Sequence, residues 1–370
     1  MILKKISLLN FKNISRAELE FAEGINCLVG DNGAGKTNVV DAVYYLSMCK
    51  SALSMTDGQS IRHGEEFFVV EGEYLSDAGR REGVSCTFAR QGGRSNKSVK
   101  RNGKEYERLA DHIGLIPIVI VSPMDSFLVS DAADERRRYL NGFISQFDAE
   151  YLSAVMRYNQ VLGQRNRLLK QPFSPAGEEL LGVLDEQLVR HGLAVHAGRA
   201  RLVERLQPLV AEYYRVLSDD REQVEISYRS ELDSADFAEL LLRSRGRDIA
   251  NGFTTTGIHR DDLVMRIGGW PLRKYGSQGQ QKSLLVALKL AQYTLVCETL
   301  GEKPILLLDD LFDKLDMKRV EKLISLVDGE RFGQIFITDC NKVRLQRILD
   351  GGGRTYSLMY VADGAVCPQS

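Results

Sequence analysis

The sequence predicts an α/β fold whose two halves lie at opposite ends of the chain, with a helical insertion between them. Three observations carry this. Near the start, Gly30-Asp31-Asn32-Gly33-Ala34-Gly35-Lys36-Thr37 joins a strand-like segment to a helix-like one. Near the finish, the aliphatic run Ile305-Leu306-Leu307-Leu308 ends in Asp309-Asp310. Between them Leu181, Leu188, Val195, Leu202 and Leu209 recur every seven residues, the spacing of a helix that faces a partner helix.

The first motif satisfies G-x-x-x-x-G-K-[ST] at every defined position. Its flanks agree: Gly24–Val29 reads as a buried strand, and Thr37 to about Met48 as a helix with Val39, Val40, Val43 and Leu46 on one face. A phosphate would then sit at a helix N-terminus, where backbone N–H groups approach it closely and the helix dipole favours negative charge. Lys36 is expected to reach the β- and γ-phosphates of a nucleoside triphosphate, and Thr37 to ligate Mg²⁺.

Four aliphatic residues followed by two carboxylates is how a buried parallel strand delivers acids to its C-terminal edge. Asp309 is expected in the Mg²⁺ shell, and Asp310 where a general base would orient the attacking water. Tyr275-Gly276-Ser277-Gln278-Gly279-Gln280-Gln281 precedes this strand as a glycine- and glutamine-rich turn opening an apolar helix. A single subunit with a loop, a lysine and a metal-binding aspartate already holds a triphosphate, so this third element suits two subunits that share one nucleotide.

The chain has 370 residues, 44% of them hydrophobic, enough for two or three domains of ordinary globular composition. A net charge of −1 leaves no global field to draw it onto nucleic acid, so such binding must come from local patches. The six cysteines lack C-x-x-C spacing, which points to reduced thiols, and the five histidines lack metal-like spacing, which speaks against a nuclease metal centre. No run approaches 18 apolar residues, and no signal-peptide pattern opens the chain. A cytoplasmic protein without a membrane partner is expected.

Residues 1–130 are strand-rich, with Glu66–Tyr74, Val84–Arg90 and Ile116–Ser122 reading as extended. Residues 131–251 read as the insertion, a short antiparallel arm formed by Asp131–Lys170 and the heptad segment, with a turn at 171–177 and a kink expected at Pro208. From 252 to 370 strand–helix alternation resumes and completes the nucleotide domain. Two basic clusters stand out: Arg90–Lys104, a hairpin suited to phosphate backbones, and Arg157, Arg165, Arg167 and Lys170 on the first arm helix. Either also reads as a solvated face.

With the loop, the segment Gly257-Ile258-His259-Arg260-Asp261-Asp262-Leu263, the Gly276–Gln281 turn and the Asp309-Asp310 pair in this order, the chain resembles the RecF family, recombination-repair ATPases of the ABC/SMC type, over essentially its full length. The resemblance implies an ABC-type ATPase head, with a mixed-sheet nucleotide lobe and an inserted helical lobe, that forms a homodimer when ATP is bound. Gly30, Asp31, Asn32, Gly33, Ala34, Gly35, Lys36 and Thr37 would hold ATP, with Ser277, Gly279 and Gln280 of the other copy closing over it. Lys36, Asp309 and Asp310 would be catalytic, and Thr37 and Asp309 would bind Mg²⁺. It also implies binding of single-stranded and duplex DNA at gaps, action with RecR and indirectly with RecO and RecA, and slow ATP hydrolysis. Lys12 would lie near the triphosphate.

The chain departs from the general ABC pattern at several points. Asp310 stands where many relatives carry glutamate, one methylene longer, which implies slow turnover. Thr338 reads as a γ-phosphate sensor or a strand-end hydroxyl, Asp316 as an intersubunit loop residue or a helix N-cap, and His259-Arg260 as interface residues or a polar turn. Ser122-Pro123-Met124-Asp125 occupies the place of a glutamine loop without a glutamine. An SMC-like subunit of another DNA-processing complex and a transporter ATPase are the other classes open to this architecture. The arm of about 120 residues is short for the first, and it and the missing switch histidine speak against the second.

Overall fold

The computed structural model describes residues 1–53, 56–76, 79–130, 133–172, 174–311, 317–327, 331–351 and 355–368, and they form two compact units. The first comprises Met1–Asp125, Tyr213–Asp220 and Gln278–Ser370; the second comprises Ser126–Glu212 and Arg221–Ser277.

The first unit begins with β1 (Ile2–Phe11), β2 (Ile14–Glu20), β3 (Ile25–Val29) and α1 (Lys36–Met48). It continues through β4 (Phe67–Leu75), β5 (Arg81–Gln91), β6 (Arg94–Arg101), β7 (Lys104–Glu105) and β8 (Ile118–Val121). Strands β1, β2, β4, β5, β6 and β7 make an antiparallel sheet in the order β2-β1-β4-β5-β6-β7. A register shift between Leu3 and Lys5 explains how β1 carries Lys4 and Lys5 in succession while Leu3 and Ile6 both stay buried. Phe11, Tyr45 and Phe68 meet edge to face, with centroids 5.2–6.0 Å apart, and tie this sheet to α1.

The second unit opens with α2 (Phe127–Ser130), α3 (Ala133–Ile144) and α4 (Ala149–Leu168). The first arm segment is therefore two helices. Asp148 starts the second by accepting the Tyr151 N–H at 2.8 Å, an N-cap that a continuous helix would not need. Next comes α5 (Pro175–Ser218), 44 residues unbroken through Pro208, whose last turns from Tyr213 count with the first unit. Helices α4 and α5 run antiparallel: Arg165 meets Asp185, Tyr158 fits over Gly192 and Tyr151 over Gly198. Leu181, Leu188, Val195 and Leu202 are buried as their spacing predicts, but Leu206 and Val210 replace Leu209 in the core. A seven-residue repeat drifts about 20° per heptad on a straight helix.

The unit ends with β9 (Val224–Arg229), α6 (Phe237–Asn251), β10 (Asp262–Ile267), β11 (Trp270–Pro271) and α7 (Leu272–Tyr275). The three strands form one sheet, and β10 pairs with β9 from Asp262↔Arg229 to Ile267↔Val224. This pairing groups residues 252–277 with the helical unit, whereas the sequence pattern places the boundary at 252.

The first unit resumes with α8 (Gln278–Leu300), β12 (Ile305–Leu308), α9 (Met317–Val327), β13 (Ile335–Asp339), α10 (Lys342–Gly351), β14 (Tyr356–Ala362) and β15 (Ala365–Pro368). Its second sheet has the order β15-β14-β3-β13-β12-β8, parallel except for β15. Every residue of β3, β12 and β13 is buried, as expected of parallel strands covered on both faces. Among the described residues α8 alone is long and apolar enough to cross a membrane; 72% of its apolar window is buried inside the protein, which is core packing.

Candidate nucleotide site

The phosphate loop leaves the end of β3 and enters α1. Gly30 lies so close to β14 that a Cβ would sit 2.1 Å from the Val361 carbonyl oxygen, so no other residue fits. Gly35, at φ +118°, would bring a Cβ to 2.8 Å from the Asn13 side chain. Asn13 braces the loop from below: it donates to the Ala34 carbonyl at 3.2 Å and accepts from the Asn38 amide at 2.7 Å. The sequence pattern points to its neighbour Lys12 and misses it, although both stand in the segment Asn10-Phe11-Lys12-Asn13.

Lys36 is buried, and its ammonium donates to the carbonyls of Gly30 at 2.7 Å and Asp31 at 2.8 Å. The first turn of α1 contains no acid, so the helix N-terminus keeps its positive end for an anion. Lys12 sits 2.6 Å from Asp41 of α1, both side chains nearly inaccessible, and Asp41 also holds the Ser51 hydroxyl and the Ala52 N–H. Asp41 is not foreseeable from the chain, because a lone acid on an apolar helix face carries no motif.

The acid pair arrives from β12, the neighbour of β13 on one side and β8 on the other. Asp309 is 1% exposed. Its Oδ1 accepts from the Thr37 hydroxyl at 2.9 Å and from the Thr338 hydroxyl at 2.8 Å. Thr338 in turn accepts the Asp310 N–H at 2.9 Å, and Asp310 takes a left-handed φ of 49°. Burial pushes the Asp309 carboxyl above its ordinary pKa; the hydroxyls of Thr338 and Thr37 oppose this, and the charges of Asp310 and Asp41 add to it.

Asp310, Asn32, Gly33, Gly35, Lys36 and Thr37 line one open depression of about 610 Å³. The fold thus joins the two motifs that the sequence holds apart. Thr37 and Asp309 present a hydroxyl and a carboxylate oxygen side by side, hard donors that suit Mg²⁺ sharing its remaining positions with phosphate and water.

Ser277 is exposed and closes the second unit, while Gly279 and Gln280 lie in the first turn of α8 in the first unit. A Cβ on Gly279 would stand 2.5 Å from the Arg319 guanidinium. Asp316, with Asp313–Leu315, lies outside the described residues. Asp125 accepts the Ser122 N–H at 2.7 Å and pairs with Lys289 of α8 at 2.7 Å. His259 is held through both ring nitrogens, by the Tyr158 hydroxyl at 2.8 Å and the Thr254 carbonyl at 3.0 Å; burial lowers its pKa.

One basic cluster requires correction. Arg165 is fully buried, pairing with Asp185 at 2.6 Å and Asp248 at 2.7 Å and donating to Thr254 at 2.9 Å, so it is a core ion-pair centre and not part of a surface patch. Arg157, Arg167 and Lys170 remain exposed. The Arg90–Lys104 hairpin exists as β5 and β6, but Lys97 pairs with Asp57 at 3.0 Å and Arg101 clasps Glu82 through two bonds of 2.8 and 2.9 Å. Arg90, Arg94, Lys100 and Lys104 are its exposed cations. None of the six cysteines, all of them among the described residues, is joined in a disulfide.

A phosphate loop and an acid pair on one parallel sheet, flanked by an antiparallel sheet and interrupted by a helical hairpin, define an ATPase head of the ABC/SMC class. The chain matches the family described as RecF/RecN/SMC N terminal domain over residues 2–361. It is 48% identical over 366 residues to the DNA replication and repair protein RecF of Bacteroides thetaiotaomicron, covering 99% of this chain and 98% of that one. It is 43% identical to the protein of the same name from Porphyromonas gingivalis, covering 99% and 100%. A solved structure of the recombination mediator protein RecF with ATP, in the RecFOR pathway, superposes with a TM-score of 0.88 at 30% identity, covering 100% of this chain and 98% of that one. An SMC head bound to the C-winged helix domain of ScpA shares the fold, with a TM-score of 0.58 at 15% identity over 100% and 98% of the two chains. The chain belongs to the RecF family.

Proposed function

We propose that this protein is an ATP-dependent DNA-binding protein of recombinational repair and replication restart. It dimerises on ATP, binds single-stranded and duplex DNA at gaps, and helps RecA load together with RecO and RecR. Its relatives are named DNA replication and repair proteins, and the RecF structure it superposes on belongs to the RecFOR pathway and carries ATP. The observation that carries the ATP-dependent part is the hydroxyl–carboxylate–hydroxyl chain Thr37–Asp309–Thr338, which joins both ends of the polypeptide beside the depression lined by the phosphate loop and Asp310.

In this reading ATP occupies Gly30–Thr37, where the loop N–H groups and the α1 dipole hold its phosphates. Lys36 exchanges the Gly30 and Asp31 carbonyls for β- and γ-phosphate oxygens. Thr37 and Asp309 hold Mg²⁺, which neutralises charge on the phosphates. Asp310 orients the attacking water; its short side chain sets that carboxylate back, consistent with slow turnover. Ser277, Gly279 and Gln280 of a second copy close over the γ-phosphate, so nucleotide and interface form together. Hydrolysis then removes the interactions that favour the dimer.

The test is the molar mass in solution with ATP and Mg²⁺. Lys36→Met is expected to remain monomeric and Asp310→Asn to accumulate as dimer. A monomeric Asp310→Asn variant that still binds ATP would rule out the shared-nucleotide mechanism.

A further inference from the structure

The chain's only tryptophan is at the surface. Trp270 follows the Gly268-Gly269 turn of the β10–β11 hairpin and is 61% exposed; Tyr275, at the end of α7, is 54% exposed. Their ring centroids are 5.2 Å apart with planes inclined by 52°, and the Lys274 ammonium stands 5.4 Å from the Tyr275 ring. A large apolar ring left in water at a hairpin tip gains nothing from the fold that carries it.

Pro271, Leu272 and Arg273, which follow Trp270 in the chain, help to line an open groove of about 770 Å³, whose charged lining is Arg136, Arg229, Arg266 and Arg273 against the single carboxylate of Asp262. Asp262 pairs with Arg136 at 2.6 Å and with Arg229 at 3.3 Å, and Glu225 holds Arg266 at 3.4 Å. Arg229 is nonetheless 72% exposed at its side chain, and Arg273 and Lys274 are exposed beside the ring pair. A cationic groove lined by Pro271, Leu272 and Arg273, in the short segment between two exposed, closely spaced aromatic residues, matches a ligand with a polyanionic backbone and flat, unpaired faces. A duplex offers the charge but hides the faces in its stack.

We propose that Trp270 and Tyr275 form a base-stacking platform for single-stranded DNA, with the Arg229, Arg266 and Arg273 groove following the strand's phosphates. This deepens the DNA-binding reading above and rests on it.

The lone tryptophan makes the test direct, since emission reports on Trp270 alone. The full-length protein with ATP and Mg²⁺ is titrated with a fluorescein-labelled oligothymidylate of about 20 nucleotides, and separately with a blunt duplex, following label anisotropy and tryptophan emission. The single strand is expected to quench Trp270. Trp270→Ala should weaken single-strand binding about tenfold, in the range of one stacked base removed, and Trp270→Phe should recover most of it. Duplex affinity should stay within about twofold, and Arg273→Gln should reduce the salt slope for the single strand by about 0.7. Unaltered melting of the variants excludes misfolding. If the oligonucleotide binds while emission and the Trp270→Ala affinity stay unchanged, the platform is wrong and the DNA-binding reading survives. If no DNA binds, both fall. If ATP alone shifts emission and Trp270→Ala loses the dimer, this face is an interface between copies and the platform is rejected.

Discussion

Thr338 donates its hydroxyl to Asp309 at 2.8 Å while accepting the backbone N–H of the next residue, Asp310. One hydroxyl on β13 thereby sets the orientation of both acids at the end of β12. The sequence left Thr338 between a phosphate sensor and a plain strand-end residue; from its hydrogen bonds we propose that it positions the acid pair.

Thr338→Val keeps the shape and removes both bonds. The part-buried Asp310 N–H then loses this bond, a loss of at most about 1–3 kcal/mol, the range for a fully buried unsatisfied group. ATP hydrolysis should fall at least about tenfold, since small misplacements near the chemistry are costly, while nucleotide affinity changes little. Single-turnover hydrolysis alongside equilibrium binding of a fluorescent ATP analogue separates the two; a loss of affinity with hydrolysis per bound nucleotide intact would contradict the positioning role.

Asp309 should weaken the fold in exchange for its chemistry. Its folded-state pKa lies above the unfolded one because burial disfavours the charge. The folded chain therefore binds the proton more tightly, and stability falls as pH rises from the unfolded pKa through the folded one, staying low above it. Asp309→Asn removes that penalty. Its Tm at pH 7 should exceed that of the parent by about 2 °C or more, the gap closing as pH is lowered through the carboxylate range, while ATP turnover is lost. A lower Tm for the variant at neutral pH would show that the threonine hydroxyls outweigh desolvation.

Arg165 should matter for folding and not for DNA. Arg165→Met leaves Asp248, fully buried, without its charge partner, and breaking such a pair costs about 3–5 kcal/mol. Denaturant unfolding should show this, with DNA affinity unchanged per folded molecule. Weakened DNA binding by a fully folded variant would return Arg165 to the surface patch.

The β5–β6 hairpin should act through Arg94, Lys100 and Lys104. Replacing all three by glutamate is expected to weaken duplex binding and to lower the salt slope by about 0.9 for each phosphate that the protein no longer neutralises. Lys97→Gln, by contrast, should lower stability, because Lys97 is committed to Asp57. Equal salt slopes for the triple variant and its parent would remove the hairpin from the DNA surface.

Asp310→Asn and Lys36→Met should give opposite outcomes in one measurement. The first should enrich the ATP-bound dimer and the second abolish it, read as molar mass by light scattering.

The loop Gly30–Thr37, the strand ending in Asp309-Asp310 and the buried heptad positions up to Leu202 could be read from the chain itself, because each is a local pattern whose physics is complete within a few residues. Phosphate binding needs a strand, small residues and a helix start; burial needs a period. What the tertiary structure alone decided lies in pairings between distant positions. Asn13 braces Gly35, and Thr338 reaches Asp309. Arg165, which by composition belongs to a basic surface cluster, is buried because Asp185 and Asp248 arrive from two other helices. Pairing of β10 with β9 groups residues 252–277 with the helical unit, despite their position in the chain. A side chain's charge is fixed by its sequence, but whether that charge faces water or a partner depends on which segments the folded chain brings beside it.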